Sequence, residues 1–133
     1  MQKIEKIATV DGVPAPRAPY ATYTQVGNLI FVAGQVAMDP QTQETPTSFT
    51  EQLHLILKNM ETILESAGSS LENILKTTVF LKDLSNYAEY NEIYRQYFKT
   101  GFPARSTVVA DLVQEDFLIE IEAIAWTPEI QSS

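Results

Sequence analysis

The segment from Phe117 to Trp126 constrains the fold most strongly, because its pattern predicts a strand that needs cover on both sides. Side chains of a strand point alternately to opposite faces of a sheet. One face of this segment carries Phe117, Ile119, Ile121, Ala123 and Ala125, and the other carries Leu118, Glu120, Glu122, Ile124 and Trp126. Both faces are substantially apolar, which is typical of a sheet that is buried on both sides.

The rest of the chain alternates strand and helix signals. Further strands are predicted at 23–25, 29–33, 74–81 and 106–110. A capping box at Ser48-x-x-Glu51 begins a first helix that Gly68 ends, and a second helix is predicted from residue 85 or 86 to Gly101. The resulting order is β-β-α-β-α-β-β, in an α+β arrangement.

This order leaves one face of the predicted sheet without cover. Right-handed crossovers place both helices on the same face. The last strand is nevertheless apolar on its other side. We therefore expect other copies of the chain to bury that side, which makes the protein a homo-oligomer.

Length and charge exclude several classes of function. The 133 residues fit a single domain, 1–133, and 17 acidic against 9 basic residues give a net charge of −8. No basic cluster interrupts this acidity, so we expect no nucleic-acid binding. The absence of cysteine excludes disulfides and thiolate chemistry, and no apolar run approaches a membrane span. Because the N-terminus lacks a signal-peptide core, we expect a cytoplasmic protein.

Two features near the C-terminus suggest a site for a small carboxylate-bearing molecule. Arg105, one of only three arginines, lies among residues that favour burial, and a guanidinium in such a place is suited to a planar anion. Glu120 and Glu122 interrupt an otherwise apolar strand, and buried carboxylates are costly unless they are paired or used. On position alone, Arg105 could equally form a structural ion pair, and either glutamate could be the functional one.

Seven short motifs together resemble the RidA/YjgF family of enamine and imine deaminases, also called the L-PSP family. Each motif alone is weak, but all occur in order and at near-family spacing. They are Ala18-Pro19-Tyr20, Val32-Ala33-Gly34-Gln35, Lys76-Thr77-Thr78-Val79-Phe80, Lys82-Asp83-Leu84, Asn91-x-x-Tyr94, Phe102-Pro103-Ala104-Arg105-Ser106 and Ile119-Glu120-Ile121-Glu122-Ala123-Ile124-Ala125.

The resemblance implies a fold, an assembly and an activity. The fold would be chorismate-mutase-like, with one mixed sheet and two helices on one face. Three chains would form a homotrimer whose sheets make a central barrel, with sites in the clefts between subunits. The activity would be cofactor-free and metal-free hydrolysis of 2-iminopropanoate and 2-iminobutanoate, which arise when serine or threonine is dehydrated, to a 2-oxo acid and ammonia.

The resemblance also implies roles for particular residues. Arg105 would bind the substrate carboxylate, and Glu120 would direct water and transfer protons, with Glu122 structural. Further substrate contacts would come from the Tyr20 side chain, from Asn91, and from backbone groups at Gly34 and Thr107. The lone histidine, His54, is expected to be solvated and receives no catalytic role, and the tyrosines of the second helix are expected in the core.

The chain departs from the family pattern at four positions. Ala33 replaces a frequent serine, which removes one hydrogen bond of about 0.5–1.5 kcal/mol. Thr107 replaces a common cysteine, Ala18 a frequent glycine and Gln114 a usual turn proline. None of these changes removes Arg105 or Glu120.

Two other functions compete with imine hydrolysis. The same pocket could serve a sensor that binds 2-oxo acids without turnover. Endoribonuclease or translation inhibition is also associated with this family, but the acidity, the single histidine and the lack of a basic groove argue against it.

Overall fold

The computed structural model describes residues 3–130, which form one sheet and two helices. The strands are β1 (Ile4–Ile7), β2 (Tyr23–Val26), β3 (Leu29–Val36), β4 (Ile74–Leu81), β5 (Ala104–Val109) and β6 (Ile119–Trp126), and the helices are α1 (Phe49–Ser66) and α2 (Tyr87–Arg95). Short 3₁₀ turns at Leu71–Asn73 and Leu84–Asn86 precede β4 and α2. No helix in this range has the length and apolar character needed to cross a bilayer.

The sheet is mixed, with strand order β1-β2-β3-β6-β4-β5. Only β4 and β5 pair in parallel, and the other neighbours are antiparallel. The final strand β6 lies between β3 and β4, so the chain crosses over by way of α1 before β6 fills the gap. This arrangement confirms the predicted α+β fold with one mixed sheet.

Two parts of the fold differ from the sequence prediction. The strand β1, which was not predicted, pairs with β2 in the register Ile4↔Val26 to Ile7↔Tyr23. Its segment has four residues, two of them charged, so the local sequence does not favour a strand. Pairing with the free edge of β2 makes it one. The second helix ends at Arg95 rather than at Gly101. The next amides, of Gln96 and Tyr97, bond three residues back, which tightens the chain and places Phe98 in the core.

The two ends of α1 follow the predicted signals. The Ser48 side chain accepts a hydrogen bond of 3.0 Å from the Glu51 amide, as expected for an N-cap. At the other end, Gly68 has a positive φ of 75°, and the Ser69 amide bonds Leu64 O at 2.8 Å. This pattern is a Schellman motif, and it fixes where the chain leaves the helix for β4.

The two faces of the sheet differ sharply in burial. On the helix side, alternate residues of β6 such as Ile119 and Ile121 are fully buried. The opposite side, which we call the open face, presents large apolar side chains, and Phe31 and Trp126 are 41% and 43% exposed there. Apolar surface of this kind is typical of an interaction site.

Candidate functional site

A β-bulge in β3 shapes the centre of the open face. Val32 pairs with Ala123 and Gln35 with Ile121, so Ala33 and Gly34 together lie opposite Glu122. Such bulges re-aim the backbone and are frequent beside active sites. The bulge places Gly34 directly against the carboxyl group of Glu120. A Cβ at position 34 would clash with Glu120 Oε2 and would lie 3.0 Å from its Cδ. Glycine therefore allows the carboxyl group to rest against the backbone.

Glu120 is the better placed of the two glutamates on β6. Both point to the open face, but Glu120 is partly buried, whereas Glu122 is exposed. Burial raises the pKa of Glu120 above its ordinary value, and the nearby charge of Glu122 raises it further. A carboxyl group with a raised pKa is suited to both giving and taking a proton near neutrality.

Glu120 lies in a cavity of about 580 Å³, which we call the large cavity. Its walls come from the irregular segment 14–18, from the bulge of β3 and from the loop before β6. Tyr20 and Gly34 also line this cavity, and the Tyr20 side chain is half exposed. Three of the predicted site residues, Tyr20, Gly34 and Glu120, are therefore brought together here.

Arg105 occupies a different environment, on the helix side of the sheet. The sequence predicted a strand that starts after Arg105, at residue 106. In the structure Arg105 is instead the second residue of β5. It pairs with Thr77, which is buried against α2 and shares a 2.8 Å hydrogen bond with the Tyr94 hydroxyl. The guanidinium Nη1 donates to Asn91 Oδ1 at 2.8 Å. Its carbon Cζ lies 4.6 Å from the ring centroid of Tyr90, which is within the range of a cation–π contact.

A second, smaller cavity opens beside this guanidinium. It measures about 200 Å³, is lined by Asn91, Arg95, Phe102 and Arg105 among others, and is called the small cavity below. Arg105 Nη2 also donates to the Tyr87 hydroxyl at 3.3 Å. No salt-bridge partner of Arg105 occurs among residues 3–130. Its positive charge is held by neutral and aromatic groups, which leaves it available to an anion.

The predicted site residues therefore form two groups on one chain. Arg105 and Asn91 lie on the helix side of the sheet, whereas Glu120 and Gly34 lie on the open face. The sequence motifs do not show this separation, because it depends on which strands pair and in what register. A single chain does not bring Arg105 and Glu120 into one cavity.

Thr107 follows Arg105 on the same side of β5. Its hydroxyl shares a 3.0 Å hydrogen bond with the hydroxyl of Tyr90. Burial raises the pKa of Tyr90 to about 12, so this phenol stays protonated. Thr107, which departs from the family pattern, thus links β5 to α2. Its partner Tyr90 is the same residue whose ring lies against the Arg105 guanidinium.

Residues that the sequence left unassigned also contribute to the two cavities. Arg17 lines the large cavity, and Tyr87 contacts Arg105. Tyr90 and Tyr94 are buried in the core as expected, but they also support the guanidinium. The chain has three arginines. Arg17 lines the large cavity, and Arg95 and Arg105 line the small cavity. The scarcity of arginine in an acidic chain is visible in the sequence and could have drawn attention to all three residues.

His54 differs from the expectation of a solvated residue. It is partly buried, and its Nδ1 lies 2.5 Å from the hydroxyl of Tyr97. The two rings, 5.6 Å apart between centroids, connect α1 to the segment after α2, and neither residue lines the large or the small cavity. His54 therefore joins two elements of the fold and does not face solvent alone. Within residues 3–130, no group of three His, Asp or Glu side chains could hold a metal ion.

The remaining departures from the family pattern lie at the large cavity. Ala33 forms half of the bulge, and Ala18 and Gln114 belong to the facing walls. They therefore change the lining of this cavity and leave the Arg105 environment untouched.

Comparison with known proteins supports one family. The family model described as "Endoribonuclease L-PSP" matches residues 11–127. A RutC family protein from Pyrococcus abyssi is 42% identical over 123 residues, which cover 92% of this chain and 97% of that protein. The 2-iminobutanoate/2-iminopropanoate deaminase of Escherichia coli K12 is 38% identical over 125 residues, covering 92% and 98%.

A solved structure agrees with these matches. The crystal structure of E. coli TdcF with bound serine superposes with a TM-score of 0.86 at 36% identity, covering 92% of this chain and 98% of that one. The fold, the motifs and the family match together show that the chain belongs to the RidA/YjgF (L-PSP) family.

Proposed function

We propose that this protein is a hydrolase of small 2-imino acids, and that its active site forms between two chains of a homotrimer. Arg105 and Asn91 of one chain would face Glu120, Tyr20 and Gly34 of the next. The apolar open face, with Phe31 and Trp126 exposed, supplies the surface for such an assembly. The related deaminase and the serine-bound TdcF support a small amino-acid-like ligand.

The two cavities suit the two ends of such a substrate. Arg105 has no acidic partner in the described chain and offers a planar pair of donors to the substrate carboxylate. The imine carbon would then lie beside Glu120, in the large cavity. Tyr20 and the backbone at Gly34 would contact the substrate there, and the backbone at Thr107 would contact it from the Arg105 side.

The chemistry requires only water and one carboxyl group. As a carboxylate, Glu120 accepts a proton from water while the water oxygen bonds to the imine carbon. The protonated Glu120 then passes this proton to the nitrogen. Glu120 next takes the proton of the new hydroxyl group and passes it to the nitrogen. As the hydroxyl becomes a carbonyl, the carbon–nitrogen bond breaks, and the products are a 2-oxo acid and ammonia. The balance is one imino acid plus one water to one oxo acid plus one ammonia, with no cofactor involved.

The observation that carries this proposal is the contact between Glu120 and Gly34. A partly buried carboxyl group, seated against a glycine in a bulge and with its pKa raised, is a costly feature for a purely structural residue. A sensor that only binds 2-oxo acids needs the arginine but has no use for this proton-transfer group.

A mixing experiment tests both the function and the sharing of residues between chains. The variants Arg105→Ala and Glu120→Gln are prepared separately, and each should lack imine hydrolysis. When the two are unfolded together in equal amounts and refolded, roughly one site in four should combine an intact arginine with an intact glutamate. We expect about a quarter of wild-type activity to return.

The outcomes separate the parts of the proposal. If wild type itself hydrolyses no 2-imino acid, the enzymatic function is wrong. If Glu120→Gln keeps its affinity for a 2-oxo acid and wild type shows no turnover, the sensor function replaces it. If each variant is inactive and the mixture stays inactive although mixed oligomers form, the arrangement across chains is wrong.

A further inference from the structure

Arg17 lines the large cavity, and imine hydrolysis as proposed above gives it no role. The described residues that line this cavity include two charged ones, Arg17 and Glu120. The other lining side chains nearest in sequence to Arg17, such as Pro14 and Pro16, are apolar. The cavity therefore combines an apolar wall with one arginine, which is exposed to solvent.

Arg17 forms a hydrogen bond with a neutral side chain and has no acidic partner among residues 3–130. Its Nη2 donates to Gln43 Oε1 at 2.8 Å, and this amide oxygen is neutral. No salt bridge of Arg17 occurs within residues 3–130. A guanidinium has five N–H donors, so one bond to an amide leaves most of them free for a ligand.

Gln43 belongs to a turn that hydrogen bonds to Asp39 stabilise. Its backbone has a positive φ of 64°, and its amide bonds Asp39 O at 2.8 Å. The Asp39 carboxylate accepts further bonds from the amides of Gln41 and Thr42, at 2.8 and 3.0 Å. The contact thus joins the segment that carries Arg17 to an ordered loop, which limits where the guanidinium can lie.

The size of the large cavity also exceeds what the smallest imino acids require. A volume of about 580 Å³ lies in the range of pockets that enclose drug-sized ligands. In the single chain, a substrate with a side chain of one or two carbons would leave room for the neighbouring chain or for a longer side chain. A longer side chain would pass the apolar wall and reach a cationic end.

We propose that Arg17 selects 2-imino acids whose side chain ends in a carboxylate, because it lines the Glu120 cavity and has no acidic partner among residues 3–130. This inference rests on the proposed function. In an acidic protein of net charge −8, a doubly anionic substrate would otherwise be repelled, so local positive charge is needed to admit it. Arg105 would bind the carboxylate next to the imine, and Arg17 the distal one.

The test compares two substrates of similar length and different terminal charge. Amino-acid oxidases generate the imines of glutamate and of methionine in the assay, and the remaining imine is trapped as its semicarbazone. The measured quantity is the ratio of kcat/KM for the glutamate imine to that for the methionine imine. Arg17→Gln should lower this ratio at least tenfold. The matched control Lys58→Gln removes an exposed positive charge on α1 and should leave the ratio unchanged.

The results distinguish a failure of this inference from a failure of the proposed hydrolase function. If wild type and Arg17→Gln hydrolyse both imines with the same ratio, the role of Arg17 is wrong and the hydrolase stands. If Arg95→Gln loses the preference for the glutamate imine and Arg17→Gln keeps it, the distal carboxylate binds at the small cavity. That result also overturns the inference. If wild type hydrolyses neither imine nor 2-iminopropanoate, the proposed function itself has failed.

Discussion

Gly34 and Glu120 are in direct contact across the β3–β6 pair, so that the carboxyl group occupies the space where any other residue would place its Cβ. The β-bulge at Ala33 and Gly34 produces this approach. The contact ties a backbone feature to the residue that we propose as the proton-transfer group.

Replacing this glycine should act through Glu120. Gly34→Ala should destabilise the protein by about 1–3 kcal/mol, because the new methyl group overlaps the Glu120 side chain. In a Glu120→Ala background the same change should cost almost nothing, since Gly34 has no positive φ that forbids alanine. Urea unfolding of the four proteins gives the coupling. An equal cost in both backgrounds would show that Glu120 is not what the methyl group meets.

The protonation of Glu120 should make stability depend on pH. Its pKa in the folded protein lies above the ordinary 4.5, first because it is buried and second because Glu122 is near. The folded state therefore holds the proton more tightly than the unfolded state. This contribution to stability is complete below about pH 4.5 and is lost as pH rises through the folded pKa.

The comparison with Glu120→Gln isolates this effect. The stability of wild type relative to the variant should fall as pH is raised above 4.5, and it should be constant below that value. Glu122→Gln, which removes the second cause of the raised pKa, should move the fall to lower pH. A stability difference that does not change with pH would contradict a raised pKa at Glu120.

Asn91 should affect substrate binding more than folding. Its Oδ1 accepts the 2.8 Å bond from Arg105 Nη1, and because both residues are only partly buried, water can replace this acceptor in the free protein. Asn91→Ala should lower kcat/KM by roughly 10- to 100-fold and change the free energy of unfolding by less than about 1 kcal/mol. Glu92→Gln, at the exposed neighbouring position, should change neither. A large loss of stability in Asn91→Ala with normal kinetics would refute its positioning role.

The contact between His54 and Tyr97 should matter for stability alone. Tyr97→Phe removes the hydroxyl that lies 2.5 Å from His54 Nδ1 and should cost about 0.5–1.5 kcal/mol. Imine hydrolysis should stay at the wild-type rate, because neither residue lines the large or the small cavity. Thermal unfolding and steady-state kinetics measure the two effects. Loss of activity in a stable Tyr97→Phe protein would instead assign a functional role to this pair.

Much of the fold could be predicted because several local signals agreed. The alternation in β6 correctly separates buried Ile119 and Ile121 from Glu120 on the other side. Ser48 and Gly68 fix the ends of α1 through backbone chemistry that needs no tertiary contact. The strand β1 could not be predicted in this way, because its pairing with β2 is a tertiary event and its own sequence is half charged.

The sequence identifies the residues of the candidate site, and the family resemblance implies a position between subunits, but neither shows the side of the sheet on which each residue lies. The motifs identify Arg105 and Glu120, but the side on which each lies follows from the parallel pairing of Thr77 with Arg105 and from the register of β6. Arg17 was missed although it is the only charged residue between Asp11 and Asp39. Its neighbour in space, Gln43, comes from a distant loop.

The placement of Arg105 and Glu120 on opposite sides of one sheet has a kinetic consequence under the proposed mechanism. A lone folded chain would be an inert catalyst, because neither side chain could reach a substrate bound by the other. Specific activity should therefore decline once the protein is diluted below the concentration at which its chains dissociate, and each newly synthesised copy should gain activity only when it meets others.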